Sequence, residues 1–131
     1  MKIKFETIEL DIVDFETAVD LTNIGCFLKS KKSYVKHSDG SISKINNIGV
    51  PPNMYPAPEL ELVSKWFMEK HDINITICIL RREVHSTWYY NIDRISVDKI
   101  LHRWNPKLDT YLTYEEALSK AIKDSILFVR K

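Results

Sequence analysis

Glycine is scarce in this sequence, with three residues in 131. A phosphate-cradling loop of the GxxxxGK(S/T) or GxGxxG kind needs closely spaced glycines, and neither spacing occurs. Cysteine is rarer still. Cys26 and Cys78 lie far apart and belong to no CxxC or Cys/His ligand pattern, so a reduced compartment is the simpler reading. The four histidines, His37, His71, His85 and His102, form no HExxH or other close ligand pair, and no metal or cofactor is expected. Long apolar runs are missing as well: nothing approaches the roughly 18 residues needed to cross a bilayer. The opening Met-Lys-Ile-Lys-Phe-Glu lacks the apolar core of a secretory signal, so the expectation is a cytoplasmic protein with no membrane role.

A strong charge of one sign is also absent. Nineteen Lys and Arg against 18 Asp and Glu leave a net charge of +1, too small to draw nucleic acid or anionic lipid to the whole molecule. The distribution is less even than the sum. Glu6, Glu9, Asp11, Asp14, Glu16 and Asp20 dominate the first twenty residues, whereas Lys29, Lys31, Lys32, Lys36 and Lys44 face only Asp39. With 44% hydrophobic and 28% charged residues, the composition is that of an ordinary globular domain. The length fits one domain over residues 1–131, able to bury a core without staples.

Ile3, Phe5 and Thr7 alternate with charge and predict a short opening strand through Leu10. Asp14 then caps a short helix to Ile24, with Phe15, Ala18 and Val19 on one face and Gly25 as its stop. Asp39-Gly40 between the runs 33–37 and 42–45 predicts a hairpin. Residues 46–58 carry Pro51, Pro52, Pro56 and Pro58 and read as a connecting loop. From Pro58 to His71, Leu60, Val63 and Phe67 recur at helical spacing, with Pro58 suited to the first helical position. Ile73, Ile75, Ile77 and Ile79 alternate with Asn74, Thr76, Cys78 and Leu80, the clearest strand signal in the chain. Trp88, Tyr90 and Ile92 continue that period in an antiparallel neighbour. Ile100, Leu101 and Trp104 fit a helical turn before Pro106. Thr113 and Glu116 form a capping box, opening a helix to Arg130 whose stripe is Tyr114, Ala117, Leu118, Ala121, Ile122, Ser125 and Phe128. The resulting fold class is α+β: an antiparallel sheet of three to five strands with the two main helices, Pro58–His71 and Thr113–Arg130, packed on one face.

His71-Asp72 has the composition of a base and its orienter, yet it stands at a helix end, where histidine complements the dipole and Asp makes a turn. Arg81, Arg82, Arg94 and Arg103 are able to grip phosphate or carboxylate, but charge at a strand end also guards a sheet edge. Trp88 and Tyr90 face the helices. Tyr89 points the other way, where it is placed to stack a base or anchor a partner.

Tyr55-Pro-Ala-Pro-Glu-Leu, Lys65-Trp66-Phe67, Glu69-Lys70-His71-Asp72-Ile73-Asn74-Ile75 and Thr113-Tyr114-Glu115-Glu116-Ala117-Leu118 carry a resemblance that covers most of the chain. With the Phe15–Ala18 helix and the Asp-Gly hairpin, they resemble short uncharacterised proteins from prophages and mobile elements of Bacteroides-type bacteria. The Trp-x-x-x-Lys-His-Asp-Ile-x-Ile segment is the more specific part. The first dozen residues and the 96–107 segment depart from the pattern. The resemblance implies a phage-type accessory protein and brings no catalytic motif.

No catalytic constellation emerges, so the expectation is a non-enzymatic accessory protein acting through a protein partner or self-association, with Tyr89 on an uncovered sheet face. The alternative is a nucleic-acid-binding module using Lys29 to Lys44, Lys31 and Lys32 among them, and Arg81, Arg82 and Arg94 with Tyr89.

Overall fold

The computed structural model of the chain describes residues 10–46, 54–81, 86–103 and 110–130. In chain order the elements are α1 (Phe15–Asn23), β1 (Ser33–Lys36), β2 (Ile42–Ile45), β3 (Met54–Pro56), α2 (Leu60–His71), β4 (Ile73–Arg81), β5 (Ser86–Arg94), β6 (Lys99–His102) and α3 (Tyr114–Arg130). The mixture is α+β, but the single sheet expected from the sequence is two antiparallel three-stranded sheets, ordered β2-β1-β3 and β4-β5-β6. A third helix, α1, joins the two main ones.

The second sheet holds the core. β4 and β5 pair without interruption from Ile73↔Arg94 to Arg81↔Ser86, which sets Ile75 opposite Ile92, Ile77 opposite Tyr90 and Ile79 opposite Trp88. Those residues share one pleat face, since side chains alternate at period two. Ile73, Tyr90 and Ile92 are buried in one cluster with Val63 and Phe67 of α2 and Ala117, Leu118, Ala121 and Ile122 of α3. Ala117 and Ala121 are fully buried, and their small side chains permit the close helix approach that the stripe predicts.

Both helix starts show how local chemistry fixes an end. The Thr113 hydroxyl accepts from the Glu116 amide at 3.1 Å. In α1 the Asp14 carboxylate accepts from the Thr17 amide at 2.8 Å. The buried stripe of α1 is Thr17, Ala18 and Leu21, not the expected Phe15, Ala18 and Val19. Phe15 instead lies edge-on to Tyr34 and Tyr55, with ring centroids 5.9 and 5.7 Å away. Pro58 is not the first helical residue: Glu59 is the extended N-cap of α2, and the Pro58 carbonyl accepts from the Val13 amide.

Two segments overrode their local pattern. The 96–107 region contains no helical turn among its described residues; Lys99–His102 is β6, paired with Ile92, Asp93 and Arg94 across a register shift. The outward backbone groups of β5 offer a ladder that a two-turn helix cut short by Pro106 cannot match. Part of the proline-rich 46–58 loop is also a strand. Met54–Pro56 pairs with Ser33–Val35, and Pro56 is tolerated because β3 is an edge. The opening strand expected at 3–10 lies almost wholly outside the described residues; Leu10 is in no strand.

Candidate interaction edge

The candidate site residues do not converge. Arg81 pairs with Ser86 at one end of the β4–β5 ribbon and Arg94 with Ile73 at the other, about 26 Å away at 3.3 Å per residue. Arg94 is also engaged, donating from Nη1 to the His71 carbonyl at 3.0 Å. Lys31 and Lys32 precede β1 beside the other sheet, and the Lys32 carbonyl accepts from the Ala57 amide. Arg82 lies outside the described residues. Tyr89 occupies the face opposite Trp88 and Tyr90, directly across from Cys78. A hydrogen bond with the Cys78 side chain pushes the Tyr89 phenol above its ordinary pKa. His71-Asp72 closes α2: Asp72 adopts the left-handed conformation at φ 56°, and its carboxylate accepts from the Ser96 amide and hydroxyl. That clamp ties the helix end to the β5–β6 turn.

A hollow of about 470 Å³ is lined by His102, Asp124, Leu127, Phe128 and Arg130. Behind it the Tyr90 hydroxyl donates to Asp124, and the His102 ring stacks on Tyr90 at 4.7 Å. Burial and then the hydrogen bond to Asp124 push the Tyr90 phenol far above its ordinary range. Asp124 also pairs with Lys120 at 3.2 Å, and Arg130 with Asp20 at 3.0 Å. Its charged groups are therefore already engaged within the fold. Burial pushes the Cys26 thiol up to about 11, which favours the protonated, less reactive form at neutral pH. Among the described residues no group of three or more His, Cys, Asp or Glu side chains is arranged to hold a metal ion. No helix among them is long and apolar enough to cross a membrane.

What the geometry does present is a strand edge. β4 borders its sheet, with β5 on one side only among the described residues. The direction of its backbone groups follows from a distant bond pair. Trp88 exchanges both backbone hydrogen bonds with Tyr111, at 2.8 and 2.9 Å, so its N–H and C=O point away from β4. Opposed residues in an antiparallel ladder exchange both bonds or neither. The Ile79↔Trp88 pair is therefore of the non-bonded kind, and Ile79 directs its own N–H and C=O outward. At period two the same holds for Ile77 and Ile75. Sequence reasoning found these isoleucines as a strand but not this second role, because the signal is the phase of the ladder and not side-chain type.

The two edges of this sheet differ in how they are guarded. β6 is four residues long, begins with Lys99 and is followed by Arg103. β4 has nine residues, no proline and a single charge, Arg81, at its end. Its ladder with β5 has no bulge. Long, regular, uncharged edges are templates for a further strand.

No family model, curated protein or solved structure matches this chain.

Proposed function

We propose that the protein is a non-enzymatic binding module that takes a polypeptide strand along the outer edge of β4. The observation that carries this reading is the outward row of backbone groups at Ile75, Ile77 and Ile79, on a strand without charge from Ile73 to Leu80. Strand addition draws its affinity from main-chain hydrogen bonds and its specificity from alternate side chains. Ile79, on this edge strand, remains 40% exposed. An accessory role of the phage type, implied by the sequence resemblance, is compatible with such a module.

Amide exchange tests it at single-residue resolution. At low protein concentration the Ile75, Ile77 and Ile79 amides should exchange fast, while those of Thr76 and Cys78, directed into the ladder, stay protected. Equal protection of all five at every concentration would overturn the reading. The nucleic-acid alternative has its own arm: titration with DNA and RNA at two salt concentrations. The distance between Arg81 and Arg94 leads us to expect no salt-sensitive binding there.

A further inference from the structure

The edge of β4 also carries information about its occupant. Resting on the strand-addition reading above, we infer that two copies of this chain pair their β4 edges antiparallel about a two-fold axis through Ile77, forming one six-stranded sheet. The argument is self-complementarity. An antiparallel two-fold pairing sets residue i opposite residue 154 − i when the axis passes Ile77, and that register alone overlaps β4 along its whole Ile73–Arg81 length. Ile75 then meets Ile79 of the second copy, and Ile77 meets its own counterpart. These are the residues whose backbone groups point outward, so the hydrogen-bonding phase and the side-chain phase coincide.

Charge favours the same register. Arg81 is the only charged residue of β4, and the pairing sets it opposite Ile73 of the other copy. The two Arg81 side chains then stand about 26 Å apart, at 3.3 Å per residue over eight residues, beyond the reach of like-charge repulsion in physiological salt. Opposed β-branched side chains are favourable cross-strand partners. The partly exposed Ile79 is covered by Ile75 of the other copy on the face that already belongs to the core. An isologous contact of this kind closes on itself and leaves no further β4 edge for a third copy.

Thr76 provides a test of register. It is exposed on the face opposite the isoleucines, and the pairing sets it across from Cys78 of the second copy as a non-hydrogen-bonded pair. Such pairs have Cα atoms about 4.5 Å apart, within disulfide range. We expect light scattering to show a concentration-dependent dimer. Mild oxidation should link the Thr76→Cys variant into a covalent dimer that reductant reverses, with at least tenfold less linkage in the unaltered chain. Ile79→Lys, at a position already partly in solvent, should weaken association at least tenfold while circular dichroism stays unchanged. A dimer that Thr76→Cys fails to link and Ile79→Lys fails to weaken would overturn this pairing. A strict monomer at millimolar concentration with fast-exchanging Ile75, Ile77 and Ile79 amides would overturn the self-pairing and leave the edge open to a foreign strand. A monomer with those amides protected would overturn both readings.

Discussion

The two sheets are built by different means. β4 and β5 run nine residues each in unbroken register, and Ile73, Tyr90 and Ile92 are buried in one cluster with residues of α2 and α3. In the other sheet β1 pairs with β2 over four residues and with β3 over three, and β2 has no buried residue. Among the described residues it meets the rest through Tyr34 and Tyr55, whose rings lie edge-on to Phe15 of α1, and through the Tyr34 hydroxyl, which donates to the Val13 carbonyl at 2.7 Å. One sheet is specified by hydrophobic periodicity and tertiary burial, the other by turn chemistry, short ladders and the ring contacts of Tyr34 and Tyr55 with Phe15. Mutations should therefore unfold the protein through the first and loosen it only locally through the second.

The largest effect is expected from Ile92→Ala. Ile92 is fully buried at the centre of the β4–β5–β6 sheet, and such truncations cost about 2–5 kcal/mol through lost transfer energy and the cavity left behind. Urea melts should show the whole chain losing stability in one transition. Melting of the second sheet alone would break the comparison, because α2 and α3 share that core.

Tyr90→Phe should come next. The ring stays, but Asp124 loses the hydroxyl donor while its ion pair with Lys120 remains. Leaving a partly buried carboxylate short of one hydrogen bond costs about 1–3 kcal/mol. The same melts read it, and the near-ultraviolet signal of the tyrosine cluster with Tyr111 should stay native-like.

A smaller, pH-dependent effect belongs to Asp14, which caps α1 and pairs with Lys123 of α3 at 2.8 Å. Burial alone would raise its pKa; the Lys123 ammonium and the Thr17 amide outweigh that and hold it below the ordinary 3.8. The folded value lies under the unfolded one, so the stabilisation is complete above pH 4 and is lost as pH falls through the folded value. Asp14→Ala should cost about 1 kcal/mol at neutral pH through the lost cap. Asp14→Asn should keep most of the cap but flatten the acid limb of the stability profile. An unchanged acid limb in Asp14→Asn would show that the α1–α3 ion pair is not what acid breaks.

The same contrast explains what was legible in the sequence. Four isoleucines at period two placed β4, and the Ala117–Ile122 stripe placed the buried face of α3, because burial writes its period into side-chain type. Asp39-Gly40 placed the β1–β2 hairpin, because a positive φ restricts the residue that can adopt it. β3 and β6 were not legible. Each is a short strand recruited by the open side of a neighbour, β1 or β5, and nothing in Met54–Pro56 or Lys99–His102 records that offer. The division into two sheets escaped for the same reason. The candidate residues were chosen for charge and aromaticity, which say nothing of distance along a ribbon. Arg81 and Arg94 look like neighbours in a basic set and stand at opposite ends. The outward phase of β4 was hidden for a subtler reason: it is set by Trp88 bonding to Tyr111, a contact between residues 23 positions apart.

The smallest expected effect sharpens the comparison from the side of the weaker sheet. Gly40 sits at φ +89° in the hairpin turn, where the His37 carbonyl accepts its amide and Asp39 holds the Ser41 amide and hydroxyl. A Cβ built at Gly40 meets nothing within 4 Å, so the penalty of Gly40→Ala is backbone strain alone. That strain is on the order of 1 kcal/mol for an L-residue in the left-handed region. Because β1 and β2 bury little, most of this should appear as faster amide exchange across Ser33–Ile45, with the global urea midpoint nearly unmoved. A midpoint shift as large as that of Tyr90→Phe would mean that the small sheet unfolds together with the large one. The two would then form one cooperative unit.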